Sequence, residues 1–269
     1  MNSNLKIRAS GVRKAFPLGR RRVPVLDGVD FHASEGEFVA IVGPSGCGKS
    51  TFLNILAGLE EPDAGEIELD GVSAQRRLGM VGYMQQKDLL LPWRTVLDNA
   101  ILALEVRGVP RAQARQRALE LTETFGLKGF ERQYPASLSG GMRQRAAFLR
   151  TVLAEREAVL LDEPFGALDA LTRAQMQEWL LERWRSLGVT IVLVTHDVEE
   201  ALLLSDRVYL FTARPGRVKL VQEVALPRPR SRGLVTTEAF VKLKASLLDS
   251  LLEESARMAS DTLVWEGAR

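Results

Sequence analysis

The stretch that decides the fold of this chain is a glycine-rich loop, Gly43-Pro44-Ser45-Gly46-Cys47-Gly48-Lys49-Ser50. It follows an unbroken apolar run, Phe38 to Val42, which is typical of a strand buried on both faces. Apolar residues at helical spacing come next, from Phe52 to Leu56, and Gly58 ends that pattern. Between a strand and a helix, such a loop points backbone N–H groups inward and binds phosphate. We call residues 43–50 the phosphate loop.

The last residues of the phosphate loop predict a nucleotide site for ATP and Mg²⁺. Lys49 supplies positive charge to the β- and γ-phosphates, and the Ser50 hydroxyl can coordinate Mg²⁺. Cys47 lies beside Lys49 and close to the helix start, a setting that favours the thiolate. We interpret Cys47 as a bystander with raised sensitivity to alkylation rather than as a catalytic cysteine.

Acidic residues end a second buried strand, where Ala158 to Leu161 runs directly into Asp162 and Glu163. Parallel α/β sheets bind ligands at the carboxyl ends of their strands. Beside a triphosphate, Asp162 would hold the hydrated Mg²⁺ and Glu163 would polarise the attacking water as general base. His196 ends a third apolar strand, Thr190 to Val194, and is expected at the same edge, where it could bond the γ-phosphate.

The alternation of apolar strands with helical patterns predicts an α/β fold with a parallel sheet and crossover helices. Further strands are predicted at residues 31–34, 66–70 and 207–211, and helices at 98–106, 111–125, 140–153 and 170–186. The segment Leu226 to Arg232 is predicted as a linker, followed by a small amphipathic helix at about residues 238–254. This tail either packs on the rest of the chain or regulates it.

The composition is that of an ordinary globular protein, enough for one large domain or two closely joined ones. Of 269 residues, 46% are hydrophobic and 26% charged, and the formal net charge is +2. This balance gives no support for a nucleic-acid binder. A single cysteine excludes an internal disulfide and fits a reducing compartment. We interpret His32 as structural or merely exposed.

Nothing in the sequence predicts a membrane span. Met1 to Arg13 lacks the apolar core of a signal peptide, and apolar runs such as Val189 to Thr195 are too short to cross a bilayer. A soluble protein is expected, whose membrane role goes through a partner. We interpret Arg20-Arg21-Arg22 as a solvated hairpin loop rather than a nucleic-acid or lipid site.

A second anion site is predicted at Leu138-Ser139-Gly140-Gly141-Met142-Arg143-Gln144-Arg145. A serine at a helix start followed by two glycines leaves bare backbone donors at the helix N-terminus. Two phosphate sites in one chain suggest that two chains share each nucleotide.

This segment resembles the signature sequence of the ATP-binding cassette (ABC) ATPases. The phosphate loop, a glutamine loop, the signature, the acidic strand, an Ala-Leu-Asp turn and a switch histidine occur in that family's order, over about residues 5–225. The resemblance implies a P-loop NTPase core with a mostly parallel sheet flanked by helices. It further implies an N-terminal antiparallel β subdomain and an inserted α-helical subdomain at about 87–155. The cassette would span 1–225, and 226–269 would form a linker and a C-terminal helical tail.

The resemblance also implies roles for single residues. ATP would contact the phosphate loop and its neighbours, namely Phe16, Gly43, Pro44, Ser45, Gly46, Cys47, Gly48, Lys49, Ser50 and Thr51. Phe16 would stack on adenine, unless it is a core aromatic. The signature residues Ser139, Gly140, Gly141 and Met142 would bind ATP held by the opposite subunit. Asp169 would support the dimer contact.

Gln86 would be the loop glutamine that touches Mg²⁺ and the reacting water. Two departures from the family pattern stand out. Met142 replaces a common glutamine, and Gln85 stands where a phenylalanine often precedes the loop glutamine, which leaves both Gln85 and Gln86 open for this role.

The run from Gly82 to Arg94, with Leu90-Leu91-Pro92-Trp93 at its centre, resembles the importer branch for nitrate, sulfonates and taurine. Importers of a thiamine pyrimidine precursor look similar here. Met142 and residues 213–217 point the same way. Pro92 and Trp93 would form part of a groove for a helix of the membrane subunit, or simply pack.

The resemblance therefore implies an ATPase that works as a homodimer at the cytoplasmic face of the inner membrane. Its partners would be multi-span permease subunits and, indirectly, an extracytoplasmic solute-binding protein, with no nucleic acid. The alternatives are a soluble ABC ATPase of translation or DNA repair, a non-hydrolytic regulator and an exporter ATPase. The sequence does not choose the transported solute.

Overall fold

The computed structural model describes residues 5–73 and 76–266. The first four residues of the polar N-terminal stretch and the last three of the predicted tail lie outside it. The strands are β1 (Leu5–Leu18), β2 (Arg21–Ser34), β3 (Phe38–Val42), β4 (Ala64–Leu69), β5 (Val72–Ser73), β6 (Gly82–Met84), β7 (Ala158–Asp162), β8 (Thr190–Val194), β9 (Arg207–Phe211) and β10 (Val218–Glu223). The helices are α1 (Lys49–Ala57), α2 (Val96–Ala100), α3 (Leu102–Val106), α4 (Arg111–Thr122), α5 (Gly140–Val152), α6 (Ala170–Leu187), α7 (Val198–Leu204) and α8 (Glu238–Glu266).

The N-terminal strands form an antiparallel sheet in the order β2-β1-β4-β5, which confirms the predicted β subdomain. The β1–β2 hairpin turns at Gly19 and Arg20 and sets Phe16 opposite Val23. Arg20, Arg21 and Arg22 are exposed at this tip, as a solvated loop requires. Arg22 pairs with Asp63, with 2.7 Å between Nη2 and Oδ2.

The second sheet has the order β10-β9-β3-β8-β7-β6, parallel except for β10. Every residue of β3 and β8 is buried, because helices and the first sheet cover both faces. The predicted α/β class is confirmed. Since β3, β8 and β7 are neighbours and run the same way, their carboxyl ends lie along one edge of the sheet.

The helical insertion contains α2 to α5, between β6 and β7. The helix predicted at 98–106 is two short helices, which meet at Ile101. The apolar spacing does not detect this break, since Val96, Ala100 and Leu104 bury the same face across it. α4 ends at Thr122, three residues before the predicted end at Phe125.

The segment predicted as a linker is packed against the core. Arg230 is buried and donates to the carbonyl oxygens of Leu202 (3.1 Å) and Val224 (2.9 Å). The Arg228 guanidinium lies 4.3 Å from the ring centre of Trp184. α8 continues to Glu266, beyond the predicted end near residue 254, and buries Phe240 and Leu247. The division of the chain at residue 225 stays a prediction.

Candidate functional site

The phosphate loop joins the buried strand β3 to the helix α1. Gly48 has a φ of +113°, and a Cβ placed there would lie 2.8 Å from the Leu26 side chain and 3.0 Å from the Val25 carbonyl. Only glycine satisfies both the backbone angle and this close approach to β2. The Lys49 ammonium is buried and donates to the carbonyls of Gly43 (2.7 Å) and Pro44 (2.9 Å), so its charge is held inside the loop.

Cys47 is fully buried in this loop, with 0% of its surface exposed. Burial raises the pKa of its thiol, although the nearby Lys49 charge acts in the opposite direction. The expectation of a thiolate sensitive to alkylation is therefore wrong. The sequence correctly places Cys47 in an electropositive loop. Desolvation of the thiol, however, changes its pKa more than the positive charge of Lys49 does.

A cavity of about 420 Å³ opens in front of the phosphate loop, within the size range of small-molecule sites. Its lining comes from the β1–β2 hairpin, the phosphate loop, the sheet edge and the turn after β9, namely Phe16, Pro17, Leu18, Val23, Val25, Ser45, Gly46, Gly48, Lys49, Ser50, Thr51, Gln86, Glu163 and Arg214. Phe16 is half-buried, and it both packs against the core and lines the cavity.

Asp162 lies at the end of β7 and is 2% exposed. Burial raises its pKa and the Glu163 charge adds to this, while a hydrogen bond with Ser50 and the Lys49 charge lower it. Among the described residues, its Oδ1 atom has no hydrogen-bond partner. A buried carboxylate oxygen without a partner, next to a serine hydroxyl, is a donor set that suits Mg²⁺.

Glu163 follows at the strand end with a φ of +49°, which is unusual for a residue other than glycine. Its N–H donates to the Val194 carbonyl (2.9 Å), which fixes the residue to β8. The side chain meets two of the predicted partners. Gln86 Nε2 lies 3.4 Å from Oε2, and His196 Nδ1 lies 3.5 Å from Oε1. Strand ends far apart in sequence thus bring these three groups together.

The two glutamines of the loop after β6 differ in position. Gln86 lines the cavity, and Gln85 is absent from its lining. His196 extends from the end of β8 with 63% of its side chain exposed. His32 lies apart from the cavity, where its Nδ1 is 3.1 Å from the Tyr209 hydroxyl, in agreement with a structural role.

The signature residues lie outside this chain's own cavity. Ser139 caps α5, and its Oγ accepts the N–H of Met142 (3.2 Å). Ser139 and Gly140 are exposed, while a Cβ on Gly141 would lie 3.5 Å from the Ala167 carbonyl. Asp169 caps α6, and hydrogen bonds with Thr172 hold the pKa of this exposed carboxyl below its usual value.

Two further residues of the site carried no assigned role in the sequence analysis. Gln144 of α5 is buried and donates from Nε2 to the backbone carbonyl of Glu163 (3.3 Å). Arg214 follows β9 and lines the cavity. Gln144 lies in the signature segment 138–145 and Arg214 in the segment 213–217, so the signal in both cases was a polar residue inside a motif with no assigned partner.

Comparison with known proteins gives concordant relatives. Residues 26–166 match the family described as ABC transporter. The formylaminopyrimidine import ATP-binding protein ThiZ of Halalkalibacterium halodurans is 46% identical over 87% of this chain and 92% of its own length. The aliphatic sulfonates import ATP-binding protein SsuB of Bacillus cereus (strain ATCC 10987 / NRS 248) is 41% identical over 91% of this chain and 95% of its own length.

A solved structure has the same fold. It is a dimeric post-hydrolysis state of the ATP-binding cassette MJ0796 bound to ADP and Pi, with a TM-score of 0.74 and 30% identity. The match covers 82% of this chain and 100% of that chain. Within the part of the chain that the structure describes, no helix is long and apolar enough to cross a bilayer. By sequence and fold, this chain belongs to the ABC transporter family and groups with the ATP-binding proteins of that family.

Proposed function

We propose that this chain is the ATP-hydrolysing subunit of an ABC importer, which energises uptake of a small solute through partner membrane subunits. The observation that carries the proposal is one cavity lined by the phosphate loop, Gln86 and Glu163. Hydrolysis of a nucleoside triphosphate needs a loop that binds the phosphates and a carboxylate that faces the same cavity.

Each side of the cavity has a part in the reaction. Phe16 offers a ring to the adenine base, and Lys49 with the backbone N–H groups of its loop binds the phosphates. Asp162, Ser50 and Gln86 would hold Mg²⁺, which neutralises phosphate charge when bound. Glu163 accepts a proton from the attacking water, and Gln86 and His196 beside it hold that water and the γ-phosphate in place.

The signature acts on ATP bound to a second copy of the chain. Ser139 and Gly140 are exposed at the N-terminus of α5 and do not line this chain's own cavity, which supports binding in trans. Two copies then close head-to-tail over two ATP molecules, with Asp169 at the contact. Hydrolysis removes the γ-phosphate that bridges the copies, so the dimer reopens, and the difference in ATP affinity between the closed and open states drives the cycle.

The surface beside the glutamine loop is the proposed contact with the permease. Leu89 and Trp93 are exposed at 48% and 71%. Arg150 of α5 fixes this loop by donating to the carbonyls of Asp88 (2.7 Å) and Leu89 (2.8 Å). A movement of α5 would therefore be transmitted to a permease helix bound at this surface. The subunit would work as a peripheral protein at the cytoplasmic face of the membrane. The names of the relatives favour a sulfonate or a formylaminopyrimidine as the cargo.

The test is co-expression with a candidate multi-span permease, followed by reconstitution into liposomes with Mg-ATP on the side of this subunit. We expect ATP-dependent uptake of a labelled alkanesulfonate or formylaminopyrimidine. Lys49→Ala should abolish uptake and ATP binding, while Lys242→Ala, at a solvent-exposed ion pair of α8, should change neither. Co-purification with ribosomes or DNA and with no multi-span protein would overturn the importer assignment.

A further inference from the structure

The turn between β9 and β10, residues 212–217, lies directly against the phosphate loop. Nε and Nη2 of Arg214 both donate to the carbonyl oxygen of Gly46, at 3.2 and 2.9 Å. A Cβ placed on Gly216 would lie 2.4 Å from the carbonyl oxygen of Cys47, so this position accepts only glycine. Two consecutive carbonyls of the phosphate loop thus rest on this turn.

The turn is held from behind by α8. Glu254 of that helix is 1% exposed, and its Oε2 accepts the N–H of Ala213 (3.0 Å). Its other oxygen lies 3.0 Å from Lys219 Nζ and 3.1 Å from Arg257 Nη1. A buried carboxylate with both oxygens engaged is a rigid anchor, because breaking these contacts would leave its buried charge uncompensated.

The same helix also reaches the phosphate loop itself. A Cβ placed on Gly46 would lie 3.5 Å from the Cε methyl of Met258, one turn of helix beyond Glu254. Gly46 is therefore bounded by Arg214 and by Met258, which come from two different parts of the C-terminal region. The tail of the chain packs on the loop that binds phosphate.

The Arg214 side chain is exposed and lines the nucleotide cavity, so it is more than a support for the loop. A guanidinium carries five N–H donors, and only part of that set is used by the Gly46 carbonyl. Its charge is permanent and suits a polyphosphate. A nucleotide in the cavity would meet this charge in addition to Lys49.

We propose that Arg214 is a nucleotide-positioning residue and that α8 holds it in place through Glu254. Arg214 acts on ATP through the shape of the phosphate loop and through its own charge, and Glu254 acts by holding Arg214 through the backbone of Ala213. The inference rests on the proposed function, since it takes the phosphate loop as the ATP site. It assigns a role in nucleotide affinity to the motif at residues 213–217 and to the tail.

The experiment measures phosphate release by the full-length chain with Mg²⁺ as a function of ATP concentration. Arg214→Ala should raise KM about tenfold and leave kcat within about twofold, as the loss of a charge-assisted contact to bound substrate would do. Arg214→Lys should recover part of the affinity, because an ammonium can still donate to Gly46. Glu254→Ala should raise KM by several-fold and Glu254→Gln by less, since the amide oxygen can still accept the N–H of Ala213.

Glu253→Ala is the matched control. Glu253 pairs with the same Lys219 (2.7 Å) from the solvent side. Among the described residues, it forms no hydrogen bond or ion pair with the turn, so KM should not change. The double variant Arg214→Ala, Glu254→Ala should have the KM of Arg214→Ala alone, because Glu254 acts through Arg214. Thermal unfolding of each variant separates a loss of fold from a loss of affinity. If Glu254→Ala does not fold, the KM values of Arg214→Ala and Arg214→Lys test the role of Arg214 by themselves.

The outcomes separate this inference from the proposed function. If Lys49→Ala abolishes binding while Arg214→Ala and Glu254→Ala leave KM unchanged, the inference fails and the ATP site stands. Additive effects of Arg214→Ala and Glu254→Ala would also overturn it, since they would show that Glu254 does not act through Arg214. If Lys49→Ala itself leaves ATP binding intact, the proposed ATP site is wrong.

Discussion

The Nδ1 atom of His196 lies 3.5 Å from a carboxylate oxygen of Glu163, although the two residues end different strands. The other carboxylate oxygen of Glu163 lies 3.4 Å from the Gln86 amide. The proposed general base therefore lies between an amide and an imidazole, beside the cavity in front of the phosphate loop.

Replacing the carboxylate should separate binding from chemistry. We expect Glu163→Gln to bind ATP as the unchanged chain does and to lose hydrolysis by on the order of 10²–10⁴-fold, because the amide cannot accept the proton from water. The ATP-bound variant should accumulate as a dimer in size-exclusion chromatography. Phosphate release at the normal rate would remove Glu163 from its proposed role.

Gln144 should affect the rate without affecting affinity. It supports the backbone carbonyl of Glu163 from α5 (3.3 Å) and does not line the cavity. Gln144→Ala should reduce kcat about tenfold with little change in KM, since only the position of the general base is disturbed. The exposed Gln113 on α4 provides the control, Gln113→Ala. A change in KM at constant kcat would assign Gln144 to nucleotide binding instead.

The thiol of Cys47 should be unreactive in the folded protein. It is fully buried and burial raises its pKa, so the thiolate fraction and the access of a reagent are both low. Because the chain has one cysteine, titration with a chromogenic disulfide reagent at pH 8 reports on this thiol alone. We expect slow reaction in buffer and complete reaction in denaturant; a fast stoichiometric reaction in buffer would contradict the burial.

The contribution of Glu254 to stability should depend on pH. Burial acts to raise the pKa of Glu254, but the N–H of Ala213 and the Lys219 charge hold it below the ordinary value of 4.5. A lowered pKa in the folded state stabilises the protein above the unfolded pKa, and this stabilisation disappears as pH falls through the folded pKa. Glu254→Gln should therefore cost more free energy of unfolding at pH 7 than near pH 4.

Denaturant titrations of both proteins at the two pH values measure this difference, and other carboxyl groups cancel because they titrate in both. Equal losses of unfolding free energy at pH 7 and pH 4 would show that the charge of Glu254 does not contribute to the stability of the folded protein.

The location of the site at this edge of the sheet was predictable because its residues sit in local patterns. The phosphate loop, Asp162 and Glu163 each follow a buried apolar run, and a parallel sheet brings such strand ends to one edge. His196 was predictable for the same reason. The break at Ile101 and the long α8 were not, since apolar spacing continues across a break and polar residues such as Glu254 leave no sign of burial in sequence.

The sequence alone therefore determined the α/β class, the phosphate loop and the acidic pair, because strand periodicity and a glycine-rich turn are properties of neighbouring residues. Only the tertiary structure decided that Gln86 rather than Gln85 lines the cavity, that Cys47 is buried, and that Arg214 rests on Gly46. Arg214 and Gly46 are 168 residues apart, and Glu254 is 41 residues from Ala213. Contacts at that separation depend on how the last strands and α8 pack on the sheet, which no local pattern encodes.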